Sequence, residues 1–419
     1  MKKHELEKSF ITSISFGTII VGCSKILSFV LKILVSKLGV INFSDYYLST
    51  STFSGLTTIT ALGIPMSTTR YISFYRGENR LHDTHAIITS AFTITATSSI
   101  IAAIALYTGA HYLASSVGAP HAAVYFRVLS FGLVGATITI LSRAVFLGYI
   151  RIRLAYAAEA IEVGCKFLFT IVGVLVLKWG VFGALIGYTT GTLTASIINL
   201  YVMVNMTKIS HFAPKIKSEF IRFALPVSAS EIVTASMGVV LLYIVRLHSG
   251  AETIGLYGAA TSIAALIHVI PQMIFSIFLP TASRLYAQKK SVLPIYKTLL
   301  VWLCVVVLPP VALLSWLSSS LTSVVFGSSY VTSAPILTVL AMAYGIYALL
   351  VWPNRQILDM AGCTKENFSL TLVRVCVTGI SLYGIFPAFD GVSLAMAIFT
   401  GWLAEAVGSI ILVKAKHLL

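Results

Sequence analysis

The sequence predicts an all-α polytopic membrane protein with twelve transmembrane helices in two six-helix lobes, and three observations support this prediction. The 419 residues are 57% hydrophobic and only 10% charged, whereas soluble domains contain about 25% charged residues. Apolar stretches long enough to cross a bilayer, about 20 residues each, recur along the chain. Several residues also recur 211 positions later, such as Gly39 with Gly250 and Val128 with Val339.

Each half of the chain contains six predicted spans, with boundaries uncertain by about three residues. The first half gives spans near 10–36, 46–68, 86–108, 123–147, 156–177 and 181–203. The second half gives spans near 221–244, 254–280, 298–318, 333–353, 367–386 and 391–412. Gly183, Gly187 and Gly191 recur every four residues in the sixth span, which indicates close helix packing within a lobe.

The shared offset indicates that one half was duplicated. We therefore predict an N-lobe at 1–207, a polar cytoplasmic connector at 208–220 and a C-lobe at 221–419. Six spans is an even number, so both halves enter the membrane in the same direction. Their pseudo-two-fold axis would then run along the membrane normal, with a binding site near the midplane.

The basic residues follow the predicted topology. The formal net charge is +15, and most of the excess lies in alternate loops, including those with Arg76, Arg151 and Lys208. The opposite loops hold only Lys37, Lys178 and Arg246. The positive-inside rule places the first set, both termini and the connector in the cytoplasm. This distribution argues against a nucleic-acid partner and for contact with membrane lipid.

Basic residues within the spans are candidate ligands for an anionic cargo, because a charge there costs about 2.5–3.5 kcal/mol and faces a cavity or a partner. The candidates are Lys25, Lys32, Arg127, Arg374, Arg70 and Arg284.

The positions of these candidates leave alternatives open. Lys25 lies midway along the first span and either lines a cavity or forms a structural ion pair. Lys32 either lines the cavity or extends to the outer interface. Arg127 either serves the outer mouth of the cavity or pairs locally. Arg374 lies midway along the eleventh span and contacts either the cargo or a charged partner.

Arg70 and Arg284 end the second and eighth spans on the predicted cytoplasmic side. They are either topology anchors or two cationic gateposts that admit an anionic head group between the lobes. Arg143 lies close to the cytoplasmic arginines of the next loop and is expected at the interface.

The acidic residues are fewer. Glu231 and Glu405 have no partner in their own spans and are candidates for proton or cation coupling, although Glu405 could instead pair with a basic residue of its lobe. Glu162 and Lys166 are four residues apart on one helical face and are expected to pair. Asp45 lies near a span end, where we expect water to solvate it.

Three stretches carry a family resemblance. They are KSFITSISFGTIIVGCSKILSFVLKILVSKLGVINFSDYYL in the first half, FIRFALPVSASEIV at the start of the second, and SGAETIGLYGAATSI, the counterpart of LGVINFSDYYLSTST. With the twelve-span plan they resemble the polysaccharide-exporter branch of the multidrug, oligosaccharidyl-lipid and polysaccharide (MOP) flippase superfamily.

The resemblance implies a MATE-like fold in the plasma (inner) membrane. It also implies translocation of an isoprenoid-pyrophosphate-linked oligosaccharide to the outer leaflet for O-antigen-like or capsule-like assembly. The expected partners are the lipid-linked oligosaccharide, a polysaccharide polymerase and glycosyltransferases. A cavity lined by Lys or Arg would pair with the phosphates, and alternating access would expose it to each side.

Other functions remain as alternatives. A drug/cation antiporter of the same superfamily would need a carboxylate in the N-lobe, where the first span instead carries Lys25. A peptidoglycan-precursor flippase would need further C-terminal spans, and a membrane glycan ligase or polymerase would need large outer loops. The sequence contains no Walker, HExxH or GxSxG motif. We therefore expect a transporter and not an enzyme, with no cofactor or metal.

Overall fold

The computed structural model describes residues 3–78, 80–207, 218–275 and 291–416, together with Phe278, Ala282 and Leu418. Within these ranges the chain is helical and contains no strand. Long apolar segments favour helices in a membrane because a helix satisfies all of its backbone hydrogen bonds within one segment. The predicted all-α class is confirmed.

Fourteen α-helices follow one another in these described ranges, and most are joined by short turns. They are α1 Lys3–Ser36, α2 Val40–Ala61, α3 Ile64–Gly77, α4 Leu81–Ser116, α5 Ala123–Gly148, α6 Ile152–Ile171, α7 Gly180–Thr207, α8 Ser218–Ala264, α9 Leu293–Trp316, α10 Ser318–Phe326, α11 Ala334–Ile346, α12 Trp352–Met360, α13 Thr364–Ile380 and α14 Gly391–Ala415.

Nine helical stretches in the described part of the chain are long and apolar enough to cross a bilayer. They do not include α2, which is rich in Ser and Thr, or α6, which carries two glutamates and a lysine. One of the nine is the continuous stretch Ser228–Phe275, which runs through the predicted seventh and eighth spans. It is interrupted at Gly250, whose φ of 81° is not helical. The chain is a multi-pass membrane protein.

The backbone repeats the 211-residue offset seen in the sequence. Gly39 and Gly250 both have positive φ angles, and so do Lys178 and Phe389. A positive φ is uncommon for Lys and Phe because their Cβ atoms crowd the backbone, so its recurrence at matched positions is informative. A π-helical turn also follows α6 and α13, at Val172–Val176 and Ser381–Ile385, within two residues of the same offset. These features support the duplication.

The chain divides into two compact units. The first unit contains the described residues of Met1–Leu31 and Leu48–Val239. Its core is formed by large apolar side chains from α3, α4, α5 and α7 and from the beginning of α8, among them Ile72, Ile87, Phe146, Met203 and Phe220.

The second unit contains Lys32–Tyr47 and the described residues of Val240–Leu419. Phe43 is fully buried there, with its ring centroid 6.0 Å from that of Phe326 and 6.1 Å from that of Tyr330. The Tyr330 hydroxyl donates a hydrogen bond of 3.1 Å to the carbonyl of Ser36. These contacts assign the end of α1 and the start of α2 to this unit.

A buried ion pair also holds this segment. Arg246 donates to Asp45 Oδ1 at 3.1 Å and to Ser44 Oγ at 2.6 Å, and both charged side chains are about 95% buried. The expectation that water solvates Asp45 is therefore wrong. The unit boundaries differ from the predicted lobes at Lys32–Tyr47 and at the beginning of α8. Most of the predicted connector lies outside the described residues.

Close packing of α6 on α7 confirms the interpretation of the glycine repeat. A Cβ atom on Gly183 would lie 2.4 Å from the carbonyl oxygen of Gly173, and one on Gly191 would lie 2.5 Å from the backbone of Lys166. Only glycine permits backbones to approach so closely. This contact fixes the position of α6, which carries Glu159 and Glu162.

We predict that Gly187→Ala destabilises the protein by about 1–3 kcal/mol, since overpacking forces the backbone to shift. The new Cβ would lie 2.4 Å from the carbonyl oxygen of Phe169. Thermal unfolding in detergent measures the loss. Gly164→Ala on α6 is the matched control, because its Cβ would meet no atom within 4 Å. An equal effect of both substitutions would contradict the packing role of Gly187.

Candidate functional site

A pocket of about 570 Å³ lies between α3 and α5 of the first unit. Arg70 and Arg143 are its two charged lining residues. The remaining lining residues are Pro65, Met66, Thr69, Ile140, Ala144 and Leu147. An apolar pocket with a few convergent polar groups is typical of a binding site, and the charge of these two groups favours an anion.

The contact between α3 and α5 places the two arginines together. The chain turns at Gly63, with a φ of 60°, and α3 then begins with Pro65 in its first turn, where proline is well tolerated. Thr69 Oγ1 donates a hydrogen bond of 3.0 Å to the carbonyl of Ala144. Because Arg70 and Arg143 adjoin these two residues in sequence, the hydrogen bond brings both to one pocket.

Arg143 belongs to a small charged cluster. Its Nη2 lies 2.5 Å from Glu159 Oε2, and Lys25 Nζ lies 4.0 Å from Glu159 Oε1. The Glu159 side chain is 12% exposed, whereas those of Arg143 and Lys25 are 33% and 44% exposed. Two cations therefore share one carboxylate. We name Lys25, Arg70, Arg143 and Glu159, together with the pocket between α3 and α5, the cationic site.

A second charged pair lies on α6, and its positive and negative charges are equal in number, unlike those around Glu159. Lys166 Nζ lies 2.6 Å from Glu162 Oε1, and both side chains are mostly buried. The Lys166 ammonium also lies 4.3 Å from the ring centroid of Tyr188, where cation–π attraction stabilises it. The predicted pairing of Glu162 with Lys166 is confirmed, and one cation faces one carboxylate here.

Comparison with known proteins identifies the family of this chain. A family model described as "Polysaccharide biosynthesis protein" matches residues 78–335, which is more than half of the chain. The chain belongs to this family. No curated protein sequence matches it significantly.

Solved structures establish the fold of this family member. One is described as the inward-facing conformation of a multidrug resistance MATE family transporter of the MOP superfamily. It has a TM-score of 0.77 at 16% identity, covering 94% of this chain and 95% of that one. Another is described as a MOP superfamily transporter from Pyrococcus furiosus whose binding pocket has reverse polarity. It has a TM-score of 0.75 at 16% identity, covering 97% and 95%.

The fold is MATE-like, and the predicted resemblance to a MOP-superfamily polysaccharide exporter is confirmed. The family match places the chain among polysaccharide biosynthesis proteins, and the structural relatives share its fold.

Two other candidate residues, Glu405 and Arg374, belong to a buried network of charged side chains in the second unit. Glu405 is fully buried, and its two oxygens accept hydrogen bonds from Arg355 at 2.6 Å and from Arg374 at 3.3 Å. Glu405 thus pairs with basic residues of its own unit, one of the two roles expected for it. The Arg374 side chain is only 8% exposed, and it forms part of this network.

The remaining candidates are not among the residues of the cationic site. Lys32 is half-buried in the part of α1 that belongs to the second unit. Arg127 is exposed, with its guanidinium carbon 5.8 Å from the ring centroid of Tyr107. Glu231 is exposed on α8, and no basic side chain of the described residues pairs with it. Arg284 lies outside the described residues.

The link from Arg143 to Glu159 was not predicted from the sequence, which placed Arg143 at the interface. The two residues lie 16 positions apart, on either side of the tight turn between α5 and α6. Residues at similar distances from such a turn face each other on antiparallel helices. That spacing was the available signal.

Proposed function

We propose that this protein is a flippase for an isoprenoid-pyrophosphate-linked oligosaccharide. It would move the cargo from the cytoplasmic to the outer leaflet of the plasma (inner) membrane for surface polysaccharide assembly. The observation that carries this proposal is the cationic site, where Lys25 and Arg143 share a single carboxylate. Glycosyltransferases and a polymerase would act in the steps before and after this translocation.

The charge of the cationic site fits the chemistry of that cargo. A pyrophosphate cannot enter hydrocarbon without a partner, because an isolated charge is strongly disfavoured there. Arginine binds phosphate through two parallel hydrogen bonds, and lysine acts as a mobile point charge. Arg70 and Arg143 at the pocket, together with Lys25 beside Glu159, would receive the diphosphate, while the isoprenoid remains in lipid.

The distribution of basic residues along the chain favours transport from the cytoplasmic to the outer leaflet. The basic loops indicate cytoplasmic termini. Arg143 lies near the end of α5, close to Arg151, and Arg70 lies midway along α3, whose last turn carries Arg76. A pocket at this end would load from the cytoplasmic leaflet, where the lipid-linked sugars are assembled. Alternating access would then expose the cargo to the outer side.

Deletion of the gene in the producing organism tests the proposal. We expect the complete lipid-linked repeat unit to accumulate and surface polysaccharide to be lost. Extraction of lipid-linked oligosaccharides followed by mass spectrometry measures the accumulation. Unchanged surface polysaccharide, with no accumulated repeat unit, would reject the flippase.

A drug/cation antiporter is the second candidate, and the exposed carboxylate of Glu231 on α8 favours it. A carboxylate within a span could bind a cationic drug or a coupling proton. The same deletion strain separates the two functions. Gained sensitivity to cationic dyes with normal polysaccharide would favour the antiporter, and Glu231→Gln would then abolish dye resistance in the complemented strain.

At the level of single residues, we predict that Arg143→Ala weakens binding of geranyl pyrophosphate by at least about 10-fold. The reason is the loss of a hydrogen bond between charged groups, which contributes about 1.5–3 kcal/mol. Isothermal titration of the purified protein measures the affinity. Arg151→Ala is the matched control, since Arg151 is an exposed arginine that follows α5 and does not line the pocket. Equal affinities of the two variants would remove Arg143 from the site.

A further inference from the structure

We infer that Glu159 is the internal competitor of the cargo phosphate. Its carboxylate binds Arg143 and Lys25, two of the three cations of the cationic site that the pyrophosphate would bind, and it must yield them when cargo enters. This inference rests on the proposed function and adds to it a residue that sets the affinity of the cationic site and the release of cargo.

The geometry of Glu159 resembles that of a bound anion. The residue lies on α6, and its two oxygens point to cations on two other helices. One oxygen lies 2.5 Å from Arg143 Nη2 on α5, and the other lies 4.0 Å from Lys25 Nζ on α1. Each oxygen thus faces a different cation, as two oxygens of a phosphate group would.

The cations of the cluster are more accessible than the carboxylate. Glu159 is 12% exposed, whereas Arg143 is 33% and Lys25 is 44% exposed. Arg143 also lines the pocket. A guanidinium has five N–H donors and an ammonium has three, so neither group is saturated by a single carboxylate. An incoming phosphate can therefore contact both cations before Glu159 releases them.

The neighbouring pair on α6 shows what a purely structural carboxylate looks like in this protein. Glu162 and Lys166 balance each other and are 15% and 13% exposed, and the Lys166 ammonium lies over the ring of Tyr188. Lys166 does not line the pocket, whereas Arg143, the partner of Glu159, does. Glu162 therefore provides a carboxylate one helical turn from Glu159 that carries the same charge but whose partner is not a pocket residue.

A competing carboxylate suits a transporter. Two cations in a site of low dielectric constant bind a pyrophosphate strongly, and cargo that is bound too tightly is not released. When Glu159 re-forms its contacts with Arg143 and Lys25, it replaces the interactions that the departing phosphate loses. Removal of its charge should therefore strengthen binding and slow release.

Glu159→Gln tests the inference, because the amide keeps the size of the side chain and removes its charge. The full-length protein in lipid nanodiscs is titrated with geranyl pyrophosphate, with geraniol as the uncharged control. We expect Glu159→Gln to bind at least about 10-fold more tightly than the wild type, equivalent to about 1.4 kcal/mol. Glu162→Gln should bind like the wild type. Glu159→Asp retains the charge and should bind less tightly than Glu159→Gln.

Thermal unfolding of each variant shows whether it is folded. If Glu159→Gln does not fold, Glu159→Asp takes its place, and its shorter side chain, which reaches Arg143 and Lys25 less well, should give tighter binding than the wild type. Wild-type binding of geranyl pyrophosphate without a gain in Glu159→Gln overturns the inference and leaves the proposed function intact. An equal gain in Glu159→Gln and Glu162→Gln reports a general charge effect and also overturns it. Failure of every variant to bind geranyl pyrophosphate overturns both proposals.

Discussion

Glu405→Ala is expected to destabilise the protein by about 3–5 kcal/mol, the cost of leaving a buried charge without its partner. Glu405 is fully buried between Arg355 and Arg374, so the substitution leaves two guanidinium groups facing each other. Thermal unfolding of the purified protein in detergent, followed by tryptophan fluorescence, measures the loss. We expect a large decrease in the unfolding temperature and a low yield of folded protein.

Two further variants test whether the unpaired buried charge causes this loss of stability. Glu366→Ala removes a carboxylate from an accessible pair with Lys416 and should change stability little, because exposed ion pairs contribute little. Combined replacement of Glu405, Arg355 and Arg374 by Leu, Leu and Met should restore most of the stability, as apolar groups of similar volume often do. A Glu405→Ala protein as stable as Glu366→Ala would contradict the buried network.

Asp45→Ala should have a comparable effect, again about 3–5 kcal/mol. Asp45 and Arg246 are about 95% buried, and Arg246 also donates a hydrogen bond to Ser44. Without Asp45, the buried guanidinium of Arg246 keeps the neutral hydroxyl of Ser44 as its acceptor among the described residues. The contact holds the segment Lys32–Tyr47 within the second unit, so its loss should loosen the junction of α1 and α2.

Ser44→Ala is the comparison variant for the pair of Asp45 and Arg246. It removes one hydrogen bond to a charged group and should cost about 1.5–3 kcal/mol, less than Asp45→Ala. The same unfolding measurement orders the two variants. If Ser44→Ala were the more destabilising of the two, the ion pair would not be the main contact of Arg246.

Local and repeated features were predictable from the sequence. The 211-residue offset found in the residue pattern reappears in the positive φ angles of Lys178 and Phe389. The spacing of Glu162 and Lys166 places them one helical turn apart, so the helix alone determines that they meet. The glycine repeat of α7 implied a close neighbour, and the neighbour is α6.

Contacts between distant segments were not predictable in the same way. Asp45 and Arg246 lie 201 residues apart, and the position near a span end suggested water instead of a buried partner. The assignment of Lys32–Tyr47 to the second unit depends on packing around Phe43 and Tyr330, which no local pattern encodes. For Arg143, closeness to the arginines of the next loop suggested an interfacial position, because the charge pattern does not register the facing carboxylate of Glu159.

Transport by the purified protein tests the central claim most directly. The protein is reconstituted into liposomes with a fluorescent isoprenoid-pyrophosphate-linked oligosaccharide, and a membrane-impermeant quencher reports how much cargo remains in the outer leaflet. We predict that the wild type moves the cargo between leaflets, that Arg143→Ala does so at least about 10-fold more slowly, and that Arg151→Ala resembles the wild type. Translocation no faster than in protein-free liposomes would contradict the account.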